Sequence, residues 1–249
     1  MKEKFIPVNN DLNKAIAFAN SLDQNFIKNV QRIKQKPFYI NSLDAVKMFQ
    51  NEGWYLRGVD ERRASNRKIS SNYIQLTHPD LNVTNNKGKV DSLASITISN
   101  SCSGNKPLQM DLGAYRLVCS NGLVRFDKAS SETVKHHEIN YNNLDQFVAR
   151  LTNKANTLID VINDMKHREL STDEIQKLAF QAARSRYSED ELDRINIDDL
   201  FTAHRNEDEG NNLWNVLNRV QENLTHDITN KDYDIKLNKQ IFQLAEDLI

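Results

Sequence analysis

The chain has 249 residues, 39% hydrophobic and 27% charged, and its 33 basic and 34 acidic side chains leave a formal net charge of -1. That length can bury a substantial core in one large domain or two modest ones. Near-neutrality, with a pI of about 6.6, excludes a whole-molecule basic field that would grip nucleic acid without a local patch.

The first forty residues read as helical. Asp11 can cap a run that includes Leu12, Ile16 and Ala19, and Phe26, Ile27, Val30 and Ile33 continue the stripe until Pro37 ends it. Ser42 then caps a second helix with Leu43, Val46 and Phe49 as its inner face and Gly53 as its stop. From residue 54 the period changes to two. Six strands are predicted, at WYLRGVDER, SNYIQLTH, SLASITISN, LQMDLGAYRLV, GLVRF and SETVKHHEI. In the fourth, Leu108, Met110 and Leu112 alternate with Gln109 and Asp111, the pattern of a strand with one wet face. Asn121-Gly122 predicts a type I′ turn and so sets the register of the hairpin around it.

After Asn143 the period returns to 3.6. Leu144, Phe147, Val148, Leu151, Ala155, Leu158, Ile159, Ile162 and Met165 mark a helix of about seven turns. Ser171-Thr172-Asp173-Glu174 is a capping signal for the next helix. Residues 189–199 read as an acidic exposed connection and 204–210 as a surface loop, before helices at NLWNVLNRVQENL and DIKLNKQIFQLAEDLI. The expected fold is α+β: N-terminal helices (with the sheet, residues 1–142), a central antiparallel sheet of five or six strands, and a helical C-terminal half (143–249) packed on the sheet as one unit.

The absence of an apolar run near the roughly 20 residues of a membrane span, and of an apolar stretch in MKEKFIPVNNDLNK, leads us to expect a cytoplasmic chain with no membrane partner. The two cysteines, Cys102 and Cys119, read as ordinary thiols of a reducing compartment.

No phosphate-loop, dinucleotide-binding, nucleophile-elbow or zinc-protease motif occurs. We therefore expect no catalytic site, no cofactor and no metal. His136-His137-Glu138 is a poor metal set, since neighbours on a strand face opposite ways. The best chemistry lies in WYLRGVDERRASNRKISSNY. There Arg57, Arg62, Arg63, Arg67 and Lys68 sit among Trp54, Tyr55 and Tyr73, and cations interleaved with ring faces are what a single-strand binder uses for phosphates and bases. Arg116 has little structural excuse on a strand; it pairs with Asp111 or contacts a phosphate. The acidic 189–209 region is either solvated or a surface for a basic partner.

The segment SITISNSCSGNKPLQMDLGAYRLVCSNGLV resembles the centre of a phage- and plasmid-encoded family of unknown function, the domain of unknown function nine-three-two. The residues that carry the likeness are Asn100, Ser101, Gly104, Tyr115, Arg116, Cys119, Asn121 and Gly122, and near the C-terminus Trp214, Asn218, Glu222 and Asp227. They cover about 95–227. The family's Ser-His-Asp triplet stands here as Ser101-Cys102-Ser103, without its histidine. The resemblance implies a phage or mobile-element setting near replication and recombination genes, and no particular activity. The expected function is therefore nucleic-acid binding, to single-stranded DNA, through Arg57, Arg62, Arg63, Arg67, Lys68, Tyr73 and Arg116, as a homo-oligomeric annealing protein. The alternative is an interaction protein that inhibits a host protein through residues 189–209.

Overall fold

The structure is a computed structural model that describes residues 6–7, 39–63, 69–85, 87–101, 106–117, 122–124 and 130–249. The predicted first helix, most of the basic segment between Arg63 and Ile69, both cysteines and Asn121 lie outside the described residues.

In chain order the elements are β1 (Ile6–Pro7), α1 (Ser42–Asn51), β2 (Tyr55–Arg63), β3 (Ile69–Thr84), β4 (Val90–Ser101), β5 (Leu108–Arg116), β6 (Gly122–Val124) and β7 (Ser131–Val134). They are followed by α2 (Glu138–Asn142), α3 (Leu144–His167), α4 (Thr172–Arg186), α5 (Glu189–Leu192), two 3-10 turns (Ile197–Phe201 and Asn206–Asp208), α6 (Leu213–Thr225) and α7 (Lys231–Glu246). The fold is α+β, as expected. All six predicted strands form, and the two-residue β1 adds a seventh beside β2.

The sheet is antiparallel in the order β1-β2-β3-β4-β5-β6. Both β6 and β7 pair with β5, end to end along one edge: β7 opposite Leu108–Asp111 and β6 opposite Gly113–Tyr115. Between them the Leu112 N–H donates to the Ser130 carbonyl at 2.8 Å.

Three local expectations are corrected. Gly122 pairs with Tyr115, so it opens β6 and is not a turn residue; Asn121 lies outside the described residues. β3 continues six residues past His78 because the ladder is offset there: Ala94 pairs with His78 and Leu93 with Asn82. Pro79, which has no N–H to donate, falls in that irregularity. The last strand ends at Val134, so the two histidines lie beyond it.

The helix before β2 is capped one residue earlier than predicted. The Asn41 side chain accepts from the Leu43 N–H at 3.0 Å and leaves Ser42 inside the first turn. Its stop is as expected. Gly53 has φ 86, and a Cβ there would lie 2.8 Å from His78 Nε2. The His78 ring is held in turn: Nδ1 accepts from the Asp80 N–H at 3.3 Å and Nε2 donates to the Glu52 carbonyl at 3.2 Å.

The core lies between the sheet face of Ile74, Ile96, Ile98, Met110 and Leu112 and the long helix α3, which packs on β3, β4, β5 and β7. Seven of the nine residues of the predicted stripe, Leu144, Val148, Leu151, Ala155, Leu158, Ile162 and Met165, are its buried residues, while Phe147 and Ile159 are partly buried at its margins. Trp54 Nε1 donates to Thr152 Oγ1 at 3.0 Å and fixes β2 to α3. Helices α4, α6 and α7 pack on one another, and a single hydrophobic cluster runs from Ile40 to Ala245 through both halves. The predicted capping box is present: Ser171 Oγ accepts from the Glu174 N–H, and the Glu174 carboxylate accepts from the Ser171 N–H at 2.8 Å.

Candidate ligand cleft and the ionic core beside it

In an antiparallel ladder, paired residues stand on the same face. Tyr73 pairs with Ser99 and Ser71 with Ser101, and Ser99 pairs with Gln109. These odd-numbered positions therefore form the second face of the sheet, opposite α3. Where that face meets α7, they enclose a cavity of about 370 Å³ with Lys106, Asp232, Lys236 and Lys239. Spacing explains the helix's share. Asp232, Lys236 and Lys239 are four and three residues apart, so one stripe of α7 presents all three.

One end of the cleft is closed by a buried ion pair. Lys239 Nζ donates to Asp111 Oδ1 at 2.5 Å and to Ser131 Oγ at 3.1 Å, and Gln109 Nε2 donates to both Asp111 oxygens at 3.0 and 2.9 Å. Asp111 is 0% exposed, so this face is not wet at that position: the helix covers it, and alternation along the strand did not mark a solvent side. The other end is more open. Lys106 Nζ meets Asp232 Oδ2 at 3.2 Å, and the Tyr73 hydroxyl donates to Asp232 Oδ1 at 2.9 Å. His136 secures this end. Its Nδ1 accepts from the Ile40 N–H at 3.1 Å, so Nε2 carries the proton and donates to the Lys106 carbonyl at 2.9 Å. With both ring nitrogens engaged, His136 is a structural pin. No group of three or more potential metal ligands occurs among the described residues.

The residues proposed from sequence fall into three sets. Arg57 is half-buried and stacks over the Tyr115 ring, 4.7 Å from its centroid, with Nη2 donating to the Tyr115 hydroxyl at 3.3 Å. The two strands involved are separated by β3 and β4, a backbone span of about 14 Å in a flat sheet, so this pair bridges the second face. Arg62 and Arg63 lie on β2, paired with Ser71 and Ile69; Arg67 and Lys68 lie outside the described residues. The basic segment is thus the end of a β-hairpin, and its arginine strand is backbone-paired to Ser71 and Tyr73, two cleft residues. Tyr73 itself is 3% exposed and packs on Ile235, which leaves its ring unavailable for stacking. Trp54 is buried too, and the accessible ring is Tyr55, 64% exposed. Tyr55 pairs with Thr77, which puts it on the cleft face.

Arg116 goes inward. It is 2% exposed, and its parity on β5 puts it on the opposite face from Asp111. Nε donates to Asp91 Oδ1 at 3.2 Å, Nη1 to Asp208, and Nη2 to the Glu207 carbonyl at 3.0 Å. Asp91 also accepts from the Ser92 hydroxyl at 2.8 Å and from Trp214 Nε1 at 3.2 Å. Asp208 accepts from Arg205 Nη1 at 3.1 Å, and Arg205 clasps Glu222. Arg116 and Glu222, from the two segments that carried the family likeness, therefore belong to one buried network, and Trp214 meets Arg116 on the same Asp91 carboxylate. The segment 204–210, expected as a surface loop, dips into the protein at Asp208. Burial pushes the Lys166 ammonium below its usual value against the opposing pull of Asp91, and pushes the Arg219 guanidinium down likewise.

Much of this was not visible in the sequence. Lys106 and Asp232 are 126 positions apart, and Lys239 and Asp111 are 128 apart. The only local signal was the spacing of charged residues on the last helix.

The family model described as Domain of unknown function (DUF932) matches residues 38–242. Two Escherichia coli (strain K12) proteins, UPF0380 protein YfjQ and UPF0380 protein YafZ, are each 25% identical over 177 residues, covering 62% of this chain and 62% of the relative. The chain thus aligns with less than two thirds of these relatives' length. No solved structure gives a significant match. Among the described residues, no helix is long and apolar enough to cross a membrane. The family match takes in the whole of the cleft, the arginine strand and the ionic core, and on its extent the chain belongs to the Domain of unknown function (DUF932) family.

Proposed function

We propose, taking membership of the DUF932 family as the premise, that the chain binds single-stranded nucleic acid along β2 and the cleft beside it. In this reading it serves the replication or recombination of a phage or other mobile element, as a homo-oligomer. The observation that supports this best is contiguity. The strand bearing Arg57, Arg62 and Arg63 is paired residue by residue with the strand whose Ser71 and Tyr73 line the lysine cleft. A strand of phosphates laid on β2 and continuing toward Lys106 and Lys236 passes two carboxylates on that face, Asp60, which pairs with Tyr73, and Asp232. Tyr55, exposed on that face, offers a ring to a base, and stacking on such a ring is indifferent to sequence. Tyr73 contributes to this reading as a support of the cleft face, through Asp232, and Arg116 only as part of the core on the other side of the sheet; neither is a contact.

Fluorescence anisotropy of labelled oligothymidine tests it. Binding is expected at about 50 mM salt and should weaken steeply by about 200 mM, as counterion release requires. An unchanged anisotropy at the lower salt would refute the reading. The rival would draw on the exposed carboxylates of Glu189, Asp190, Asp193, Asp198 and Asp199, but not on Asp208, which is buried in the ionic core, and Glu191 is engaged in closing the first turn of α5 on Ser188.

A further inference from the structure

The charges around the cleft do not cancel. Lys239 is matched by Asp111 and Lys106 by Asp232. Lys236 is exposed, lines the same cavity and makes no ion pair among the described residues. Two hydroxyls are in the same position. Ser71 and Ser99, half-buried on adjacent strands of one face, make no side-chain hydrogen bond among the described residues. An excess ammonium beside two uncommitted hydroxyl donors is suited to a small anion with several acceptor oxygens, which a phosphate supplies and a neutral ligand does not. The space is in the range of small-molecule sites, and Pro107 and Ile235 add an apolar wall on which a sugar or base can rest. The donors are also held in place in advance. The backbone at Lys106 is pinned by His136, and the Asp232 that orients the Lys106 ammonium is itself fixed by the Tyr73 hydroxyl.

We propose that this cleft is a nucleotide subsite in which Lys236 and Lys106 hold one phosphate, the hydroxyls of Ser71 and Ser99 donate to its oxygens, and Pro107 and Ile235 support the nucleoside. The naming of a nucleotide rests on the nucleic-acid reading; the phosphate site rests on the cleft alone.

Isothermal titration with thymidine and adenosine 5′-monophosphates, thymidine and inorganic phosphate separates the two. Saturable binding of a monophosphate is expected, with inorganic phosphate competing and thymidine binding about tenfold more weakly or worse. Lys236→Glu, an exposed change that leaves the fold intact by circular dichroism, should weaken monophosphate binding by at least the same factor. Ser71→Ala with Ser99→Ala should weaken it further while keeping the charge. Equal affinity for thymidine and its monophosphate, or no response to Lys236→Glu, overturns the subsite. Monophosphate binding without oligothymidine binding supports the subsite and refutes only the strand reading. Oligothymidine binding that Lys236→Glu leaves intact, with no monophosphate bound, refutes only the subsite.

Discussion

Removing the Arg116 guanidinium would leave the Asp91 and Asp208 carboxylates buried with their main counter-charge gone. Arg116→Met is therefore expected to cost about 3–5 kcal/mol of stability, the range for breaking one partner out of a buried pair, measured by urea unfolding. The same variant should change strand affinity little per folded molecule, because the side chain is not at the surface. Gly53 presents a different kind of constraint. Its φ of 86 lies where an L side chain is strained by roughly 1–2 kcal/mol, and a Cβ there also crowds the His78 ring that bonds Glu52. Gly53→Ala should lower the melting temperature, whereas the same change at Gly88, which has positive φ but no atom near the added Cβ, should lower it less. The expectation that Arg116 met Asp111 failed on parity: five positions apart on one strand, they stand on opposite faces.

Among the elements, α4 shows how a helix start registers pH. Hydrogen bonds from the Ser171 backbone and hydroxyl, and then from Arg168, hold the Glu174 carboxyl below its ordinary 4.5. Glu191 is held down in the same way by Ser188. Such a group takes up a proton more readily unfolded than folded, so its stabilisation is complete above 4.5 and is lost as pH falls through the lower folded value. Thermal melts from pH 7 to pH 3 should show that decline, and Glu174→Gln should flatten it. The hairpin β2–β3 makes an electrostatic prediction. If Arg62 and Arg63 each neutralise one phosphate, replacing both by Gln should reduce the slope of log affinity against log salt by about 1.4, at roughly 0.7 per contact; an unchanged slope would place the strand elsewhere. Element by element, the fold was largely legible. Period-two alternation marked six strands, and the 3.6 period marked the buried face of α3 apart from Phe147 and Ile159, which sit at its margins, because both report burial directly. Register was not legible at Gly122, which the ladder pairs with Tyr115 instead of leaving it in a turn, nor at Pro79, where an offset in the ladder let the strand pass a residue that should have ended it.

The two halves of the molecule are joined by ion pairs buried between sheet and helices, and these couple their stabilities. Lys239→Met alone leaves Asp111, at 0% exposure, without a cation, while pairing it with Asp111→Leu removes both charges. A double-mutant cycle should find the pair of changes cheaper than the sum of the singles, by an amount in the range of about 0.5–3 kcal/mol. Additivity would mean that the contact contributes nothing specific. The candidate site was only half legible for the same long-range reason. The arginine strand could be read from composition, but the lysine cleft exists only after residues more than a hundred positions apart have met, and no local pattern announces that. The Asp91 carboxylate carries this furthest. A ribosome delivers β4 and β5 well before the residues that complete their ionic core, since Asp208 lies 92 positions beyond Arg116 and Trp214 lies 123 beyond Asp91. Until those arrive, the emerging sheet holds a half-satisfied pair of charges where it must close. A nascent chain stalled short of Trp214 should therefore leave β4 and β5 open to protease, with protection appearing only as the final helices clear the exit tunnel.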